Sequence, residues 1–521
     1  MSHPARRRLV WTFLLGAVVL AVFLPAISYD FLPLDDDLNI LCNPHHGPLS
    51  WGRITWAFGD TAYVRRYLPL GWLAFSGVSS ISQLAPWGYH AANIFLHAAN
   101  AMLLACLLRR LLASWQPAEA AANPTWLDSA ALLGAAWWAL HPLRVEHVAW
   151  CSALPSNLAL TFLLGALIAH ASASRTGWVA SIVLFGGALL SYPVTLGAVI
   201  FFPALDWARG EKRVWRRAIP FVALTLLCGF VNLQARVDAS GAQAAAPTLA
   251  EFPPGLRLAQ AVCVWAHYLW IPWFPFHLSP VYRDYLHLTY GNLQVLGSAA
   301  LLLAAVVLAG RSPARWWLLV CYGVVVFPFT GFTESPHFPH DRYAALPGLI
   351  MAAGLGWLLV RWRSPAAFTA AGVVVLSLAA LSCRQLLPWR NPVTLAQEIR
   401  RQLQPGDVPA IRDLRPAIWL YRSGDYAAAF GLLDAEIKRQ GEQPALVGLR
   451  QQLAIDIANH RRLAENLGLR IEALPPLALL HQQLAGNFVR NGELEAATWH
   501  WAEVRRLAPA YYERLAAGAK Q

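Results

Sequence analysis

The chain has 521 residues, of which 57% are hydrophobic and 13% charged, with a formal net charge of +12 at neutral pH. Soluble domains average roughly 45–50% apolar residues and about twice this charged fraction, which excludes an ordinary soluble protein. The excess positive charge is nearly all arginine, since lysine occurs only at Lys212, Lys438 and Lys520, and in so apolar a chain it points to topology and anionic lipid, not nucleic acid.

Arg6-Arg7-Arg8 precedes an apolar run from Leu9 to about Ser28, long enough for a bilayer core that takes roughly 20 residues. The arginines anchor this first helix with the amino terminus inside. Asp35-Asp36-Asp37 follows on the outer side. Three adjacent anions repel one another, so the cluster is either a solvated loop or helix cap, or a general base held at the membrane surface.

Further spans are expected near 89–108, 127–142, 148–170, 177–190, 194–208, 218–233, 291–309, 315–331, 343–360 and 366–383. With the first helix they make about eleven. The Trp- and Pro-rich stretch 256–276 reads as either a span or a re-entrant or surface helix, and it is counted here as non-spanning. That choice puts Arg109-Arg110, Arg175, Arg209 to Arg217, Arg311, Arg315, Arg361 and Arg363 inside. Five polar segments then share the outer face: 29–88, 141–147, 191–193, 234–290 and 332–342. The seven cysteines have no paired spacing and give neither a disulfide framework nor a zinc site.

From about Trp389 the apolar runs shorten and charges become frequent. Gly424-Asp425-Tyr426-Ala427-Ala428-Ala429 and Gly492-Glu493-Leu494-Glu495-Ala496-Ala497 stand 68 residues apart, twice 34, and Pro475 and Pro509 are 34 apart. A 34-residue period is the tetratricopeptide signature. The expected architecture is all-α: a polytopic helix bundle over 1–388, then about three helical repeats over 389–521, outside by the parity of eleven spans.

Polar residues inside spans are unfavourable unless paired or lining a cavity. His90, Asn93, His97 and Asn100 fall on one stripe of a helix that faces the bundle interior. The alternative to a binding role is helix-to-helix hydrogen bonding. His141, Arg144, Glu146 and His147 gather at an outer boundary, as do His340, Asp341 and Arg342. Arg283 adds one more outward cation. Cations on this face run against the inside bias, and a phosphate-bearing lipid accounts for them.

Taken together, these residues resemble the bacterial relatives of the transmembrane and tetratricopeptide-repeat O-mannosyltransferases, within the C-type superfamily of polytopic glycosyltransferases. The resemblance spans nearly the whole chain. It rests on Asp35-Asp36-Asp37 with Asn43-Pro44, on Tyr67-Leu68-Pro69-Leu70-Gly71-Trp72-Leu73, and on Gly88-Tyr89-His90 with Asn93, His97 and Asn100. It continues in His141-Pro142 with Glu146 and Ala149-Trp150, in Leu205-Asp206, in Asp341-Arg342-Tyr343 and in the terminal repeats. The chain departs from it at Leu68, where a basic residue is usual, and at Tyr192, where a lysine follows the serine. Arg65 or Arg66 is the nearest replacement for the first.

What the resemblance implies is transfer of a sugar from a polyprenyl-phosphate carrier to a protein or glycan hydroxyl, at the outer face of a bacterial inner membrane. An acid of the first outer loop would be the base. Asp36 is favoured, with Asp35 and Asp37 orienting it or holding sugar hydroxyls. Arg144, His141, His147, Arg283, His340, Arg342, His90 and His97 are the expected ligands of the donor's phosphate and sugar. Carboxylate oxygens suit magnesium or manganese, although no residue pattern demands a metal. The contrasting expectation is a non-catalytic scaffold or lipid-glycan transporter whose repeats recruit a protein partner.

Overall fold

The computed structural model describes the chain apart from residues 1–2, 33, 62, 173, 239–252, 283–284, 286–287, 332–338, 403–416, 419, 443, 491 and 519–521. Among the described residues every regular element is a helix and there is no strand. Six helices are both long and apolar enough to cross a membrane: Arg6–Ser28, Pro86–Trp115, Cys151–His170, Val214–Arg236, Asp341–Trp362 and Pro365–Gln385. Four shorter apolar helices lie at Arg175–Ser191, Pro193–Ala208, Leu293–Ala309 and Pro313–Phe329. The expected segment 127–142 is the 16-residue helix Pro124–Ala139. The stretch read as non-spanning forms Pro254–Trp270, whose buried face includes Gln260, Cys263, Val264 and His267.

The bundle exposes apolar side chains on its outer surface and buries several polar ones within its apolar core. Leu226, Leu227, Phe230, Leu303, Val307 and Leu308 are exposed, whereas His90, Asn93, His97 and Asn100 are fully buried. Those four side chains join Pro86–Trp115 to its neighbours. Asn93 donates to the Trp150 carbonyl at 2.8 Å, His97 Nε2 lies 2.9 Å from the Ala139 carbonyl, and Asn100 donates to the Asn157 carbonyl at 3.1 Å. Without water in the core, such bonds are what holds one helix to the next beyond dispersion.

Arginine-bearing helix ends pair with one another. Arg7 donates to Thr125 at 2.7 Å, Arg109 pairs with Asp128 at 2.8 Å, and Arg363 pairs with Glu119. Three of the five segments expected to share a side, 141–147, 234–290 and 332–342, touch one another, and the first of the five, 29–88, reaches Ser152 just beyond 141–147. Asp36 reaches Ser152, Glu146 binds Arg342, His141 binds the Pro272 carbonyl, Tyr268 binds His340 and Tyr282 binds Asp341.

Beyond Pro392–Gln402 the chain forms Tyr426–Gln440, Pro444–Asn466, Pro476–Arg490, Leu494–Leu507 and Pro509–Gly518. They carry two small cores of their own, one around Leu420, Leu433 and Leu446, the other around Leu474, Val504 and Tyr511. Trp499 leaves these and joins the core of the first loop, with Trp72, Phe75 and Tyr89.

Candidate functional site

The three acids have three different surroundings. Asp36 is fully enclosed. Its Oδ1 accepts from the Ser152 backbone N–H at 2.8 Å and the Ser152 hydroxyl at 2.6 Å, and its Oδ2 accepts from the Leu32 N–H at 2.8 Å. Burial pushes its pKa up to about 7, the hydrogen bonds from Ser152 and Leu32 pulling down and the charge of Asp37 adding to the rise. Asp37 opens a wide helical turn whose carbonyl accepts the Cys42 N–H at 2.7 Å.

Asp35 faces Arg66. Arg66 Nη2 lies 3.6 Å from Asp35 Oδ2, with the two side chains 33% and 22% exposed. Asp35 itself has φ +103°, and the two residues before Arg66, Val64 and Arg65, have φ +45° and +61°. None of these is glycine, and such conformations cost about 1–3 kcal/mol each and gather at functional sites. Tyr192 is the largest influence raising the Arg66 pKa, opposed by burial, with Asp35 and Tyr343 also raising it and Arg342 lowering it. Tyr192, counted above as a departure, is thus a neighbour of the exposed acid–arginine pair.

Arg342 stands at the centre. Its N–H donates to Glu146 Oε2 at 3.0 Å and its guanidinium pairs with Glu146 Oε1. The guanidinium lies 4.7 Å from the Trp150 ring and 4.7 Å from the Tyr343 ring, a geometry in which desolvated cation–π contacts are worth about 2 kcal/mol. Tyr343 stacks on Phe329 at 4.5 Å. His340 Nδ1 comes within 3.8 Å of Glu146 Oε1.

Near Arg342 lies a set of buried donors. Arg144 is 2% exposed and lies 5.4 Å over Trp138, and its Nε and Nη1 have no hydrogen-bond partner among the described residues. Both ring nitrogens of His147, 1% exposed, and the Trp150 Nε1 are in the same condition. Burial draws His147 well below the ordinary imidazole pKa, and Arg144, His97 and Arg342 add to the effect. Buried polar groups are nearly always paired. Several unpaired donors side by side therefore make a seat for an acceptor-rich group.

The structure thus brings together Asp35, Arg144, His147, His340 and Arg342, with His97 at the edge through Trp138, 5.3 Å away. It leaves two histidines aside. His141 spends Nε2 on the Pro272 carbonyl at 2.9 Å and Nδ1 on the Leu143 N–H at 3.2 Å. His90 Nε2 lies 3.4 Å from Cys151 Sγ. Arg283 lies outside the described residues. The acid triplet does not form a hard-oxygen cage for magnesium or manganese: Asp36 is spent on three donors and Asp35 on Arg66. Among the described residues no three His, Cys, Asp or Glu side chains converge as a metal site. Arg66, Tyr192, Trp150 and Ser152 were not among the expected ligands. The paired arginines after Tyr63 were the one local signal for Arg66. No protein-family model, curated protein or solved structure matches this chain.

The raised Asp36 pKa has a signed consequence for stability. The folded protein holds this proton up to about pH 7, whereas an unfolded aspartate releases it near pH 3.9. The stabilisation is therefore complete below the unfolded value and lost as pH rises through about 7. Thermal unfolding of the wild type is expected to show a falling Tm from pH 4 to 7.5. Asp36→Asn should remove that slope, and an unchanged slope would show that another group carries it.

Proposed function

We propose that the chain is an integral-membrane glycosyltransferase. It moves a sugar from a polyprenyl-phosphate carrier to a protein or glycan hydroxyl at the outer face of a bacterial inner membrane. What supports the reading is one juxtaposition: Arg342 neighbours both a part-exposed acid pair, Asp35–Arg66, and the buried unpaired donors of Arg144 and His147. A displacement at an anomeric carbon needs a base on one side and cations for a departing phosphate on the other.

In this proposal the acceptor hydroxyl gives its proton to the Asp35 carboxylate as its oxygen bonds to the anomeric carbon. The bond from that carbon to the phosphate oxygen breaks, and the carrier phosphate leaves with the electron pair. Arg342 and Arg144 hold the growing charge, and His147 donates from whichever nitrogen carries its proton. Arg66 orients the Asp35 carboxylate. Trp150 offers an aromatic face beside the seat, the kind of surface that packs on sugar rings and prenyl chains, whereas Tyr343 already stacks on Phe329 and carries the Arg342 guanidinium.

The same proposal takes the arginine-bearing helix ends as cytoplasmic, the span count as eleven, and Pro476–Arg490 with Leu494–Leu507 as one tetratricopeptide-like unit on the outer side. A reporter fused after Gln521 should then be active only outside the cytoplasm. Activity inside would overturn the topology and the outward placement of the acids.

The direct test is chemical. Cells lacking the protein should accumulate one polyprenyl-phosphate sugar, and the purified chain in lipid nanodiscs should consume that lipid only when an acceptor is present. A chain that consumes none, while the deletion still blocks a surface glycan, would be the scaffold or transporter instead.

A further inference from the structure

The turn that carries the acids is wound on its own backbone. The Asn39 N–H donates to the Asp35 carbonyl at 2.7 Å, the Cys42 N–H to the Asp37 carbonyl at 2.7 Å, and the Asn43 amide to the Asn39 carbonyl at 3.2 Å. A shift of residues 42–44 therefore carries directly into Asp35–Asp37. Two of those three residues are held from outside, by later parts of the chain. Arg422 Nη1 donates to Cys42 Sγ at 3.5 Å, and His500 Nε2 lies 3.2 Å from the Pro44 carbonyl.

Rings close the contact. His46 meets Trp499 edge-on at 5.9 Å, and His45 lies between Trp56, stacked at 4.5 Å, and Phe488 at 6.2 Å. Phe488 in turn stacks on His500 at 5.3 Å. Arg53 spans the loop, donating to the His45 carbonyl at 3.2 Å and the Pro48 carbonyl at 2.8 Å, and comes within 3.9 Å of Glu495.

The partners assign the protons. A carbonyl only accepts, so His500 Nε2 carries a hydrogen and donates it to Pro44. In the neutral ring His500 Nδ1 is then an acceptor, and His481 Nδ1, 2.9 Å away, is its donor. Tyr89 donates to the Gln83 carbonyl at 2.7 Å, which leaves its oxygen to accept from His46 Nε2 at 2.8 Å. Burial draws His46 and His481 down to about 3 and His500 down to about 4, so each ring is neutral near pH 7. The contact is a directional docking of one named helix pair onto one named turn.

We infer that Pro476–Arg490 with Leu494–Leu507 is a positioning element for the acid-bearing turn, acting through His500 on Pro44. This rests on the transferase reading for its kinetic consequence and not for the docking itself. His500 is a positioning residue: it touches neither acid and sets where the turn that bears them sits. A partner that pulled on these repeats would reach the acids by the same route.

Cys42 supplies a native reporter of the docking. Its thiol is pushed up to about 11, by burial first, and the thiolate is the form that alkylates. In the full-length protein in nanodiscs, labelling of Cys42 by a hydrophilic maleimide, read by mass spectrometry of its peptide, should be slow. His500→Ala should speed it about tenfold by raising the open fraction, and should lower kcat about tenfold with the donor KM within about twofold. His500→Gln keeps a donor for the Pro44 carbonyl and should restore both, which also shows that the fold tolerates change at this position. An unchanged Cys42 rate in His500→Ala overturns the docking. A faster rate with unchanged kcat overturns the positioning role. If the unmutated chain transfers no sugar from any donor, the transferase reading alone falls, and the Cys42 rates still decide the docking.

Discussion

Asp35→Asn is expected to slow sugar transfer by about 100- to 10,000-fold, the usual consequence of removing a general base, with Tm almost unchanged. Its carboxylate is part-exposed and pairs with Arg66 at 3.6 Å, and a solvent-screened pair of that length contributes about 0–1 kcal/mol to stability. Asp36→Asn should behave in the opposite way. An amide in that place offers one oxygen where the carboxylate offers two. Either the Ser152 N–H or the Leu32 N–H is then left facing an NH2 group. A buried unsatisfied donor costs about 1–3 kcal/mol, so Asp36→Asn should lower Tm by several degrees while retaining measurable turnover. Steady-state kinetics beside thermal unfolding separates the two. Full turnover in Asp35→Asn would return the base to Asp36 or Asp37, and full turnover in all three Asn variants would remove the triplet from the chemistry.

Arg144→Met should be the most informative change at the donor seat. Two of its guanidinium nitrogens have no partner among the described residues and the side chain is 2% exposed. Folding therefore gains little from the charge, and an apolar chain of similar length satisfies the same space. Binding a phosphate through that charge is worth about 1.5–3 kcal/mol. The donor KM should rise roughly 10- to 150-fold by the same free energy, with no loss of Tm. Arg342→Ala is a poorer probe, because it strands Glu146, 3% exposed, without its partner. Breaking a buried pair in this way costs about 3–5 kcal/mol, and the variant should be scored for folding before it is scored for transfer. A donor KM that stays put in Arg144→Met would take the carrier phosphate away from this seat.

The helical segments and their polar ends were readable because hydropathy and arginine bias are local properties of the chain. The stripe of His90, Asn93, His97 and Asn100 was readable for the same reason, since helical spacing alone turns it inward. The choice among Asp35, Asp36 and Asp37 was not. Their flanking residues are shared, and what distinguishes them is Ser152, 116 positions away, together with an Arg66 that only a left-handed backbone brings round. Tyr192 looked like a loss because a cation was expected there, yet it lines the acid–arginine pair. The unpaired donors of Arg144 and His147 were legible as types but not as neighbours. Nothing in the 34-residue spacing announces that Trp499 and His500 reach from Leu494–Leu507 to pack on residues 44–46.

The bonds that finish the acidic turn also put it last in the order of synthesis. Asp36 has no Ser152 to meet until 116 more residues have been made, and Pro44 has no His500 until 456 more have followed. At about 5–20 residues per second these delays are about 6–23 s and about 23–91 s. Through that interval Asp36 remains an ordinary hydrated carboxylate, and the loop is open to water at the membrane surface. On the proposed transferase reading, a nascent or truncated chain that ends before residue 500 therefore carries all three acids without the His500–Pro44 contact that sets their turn.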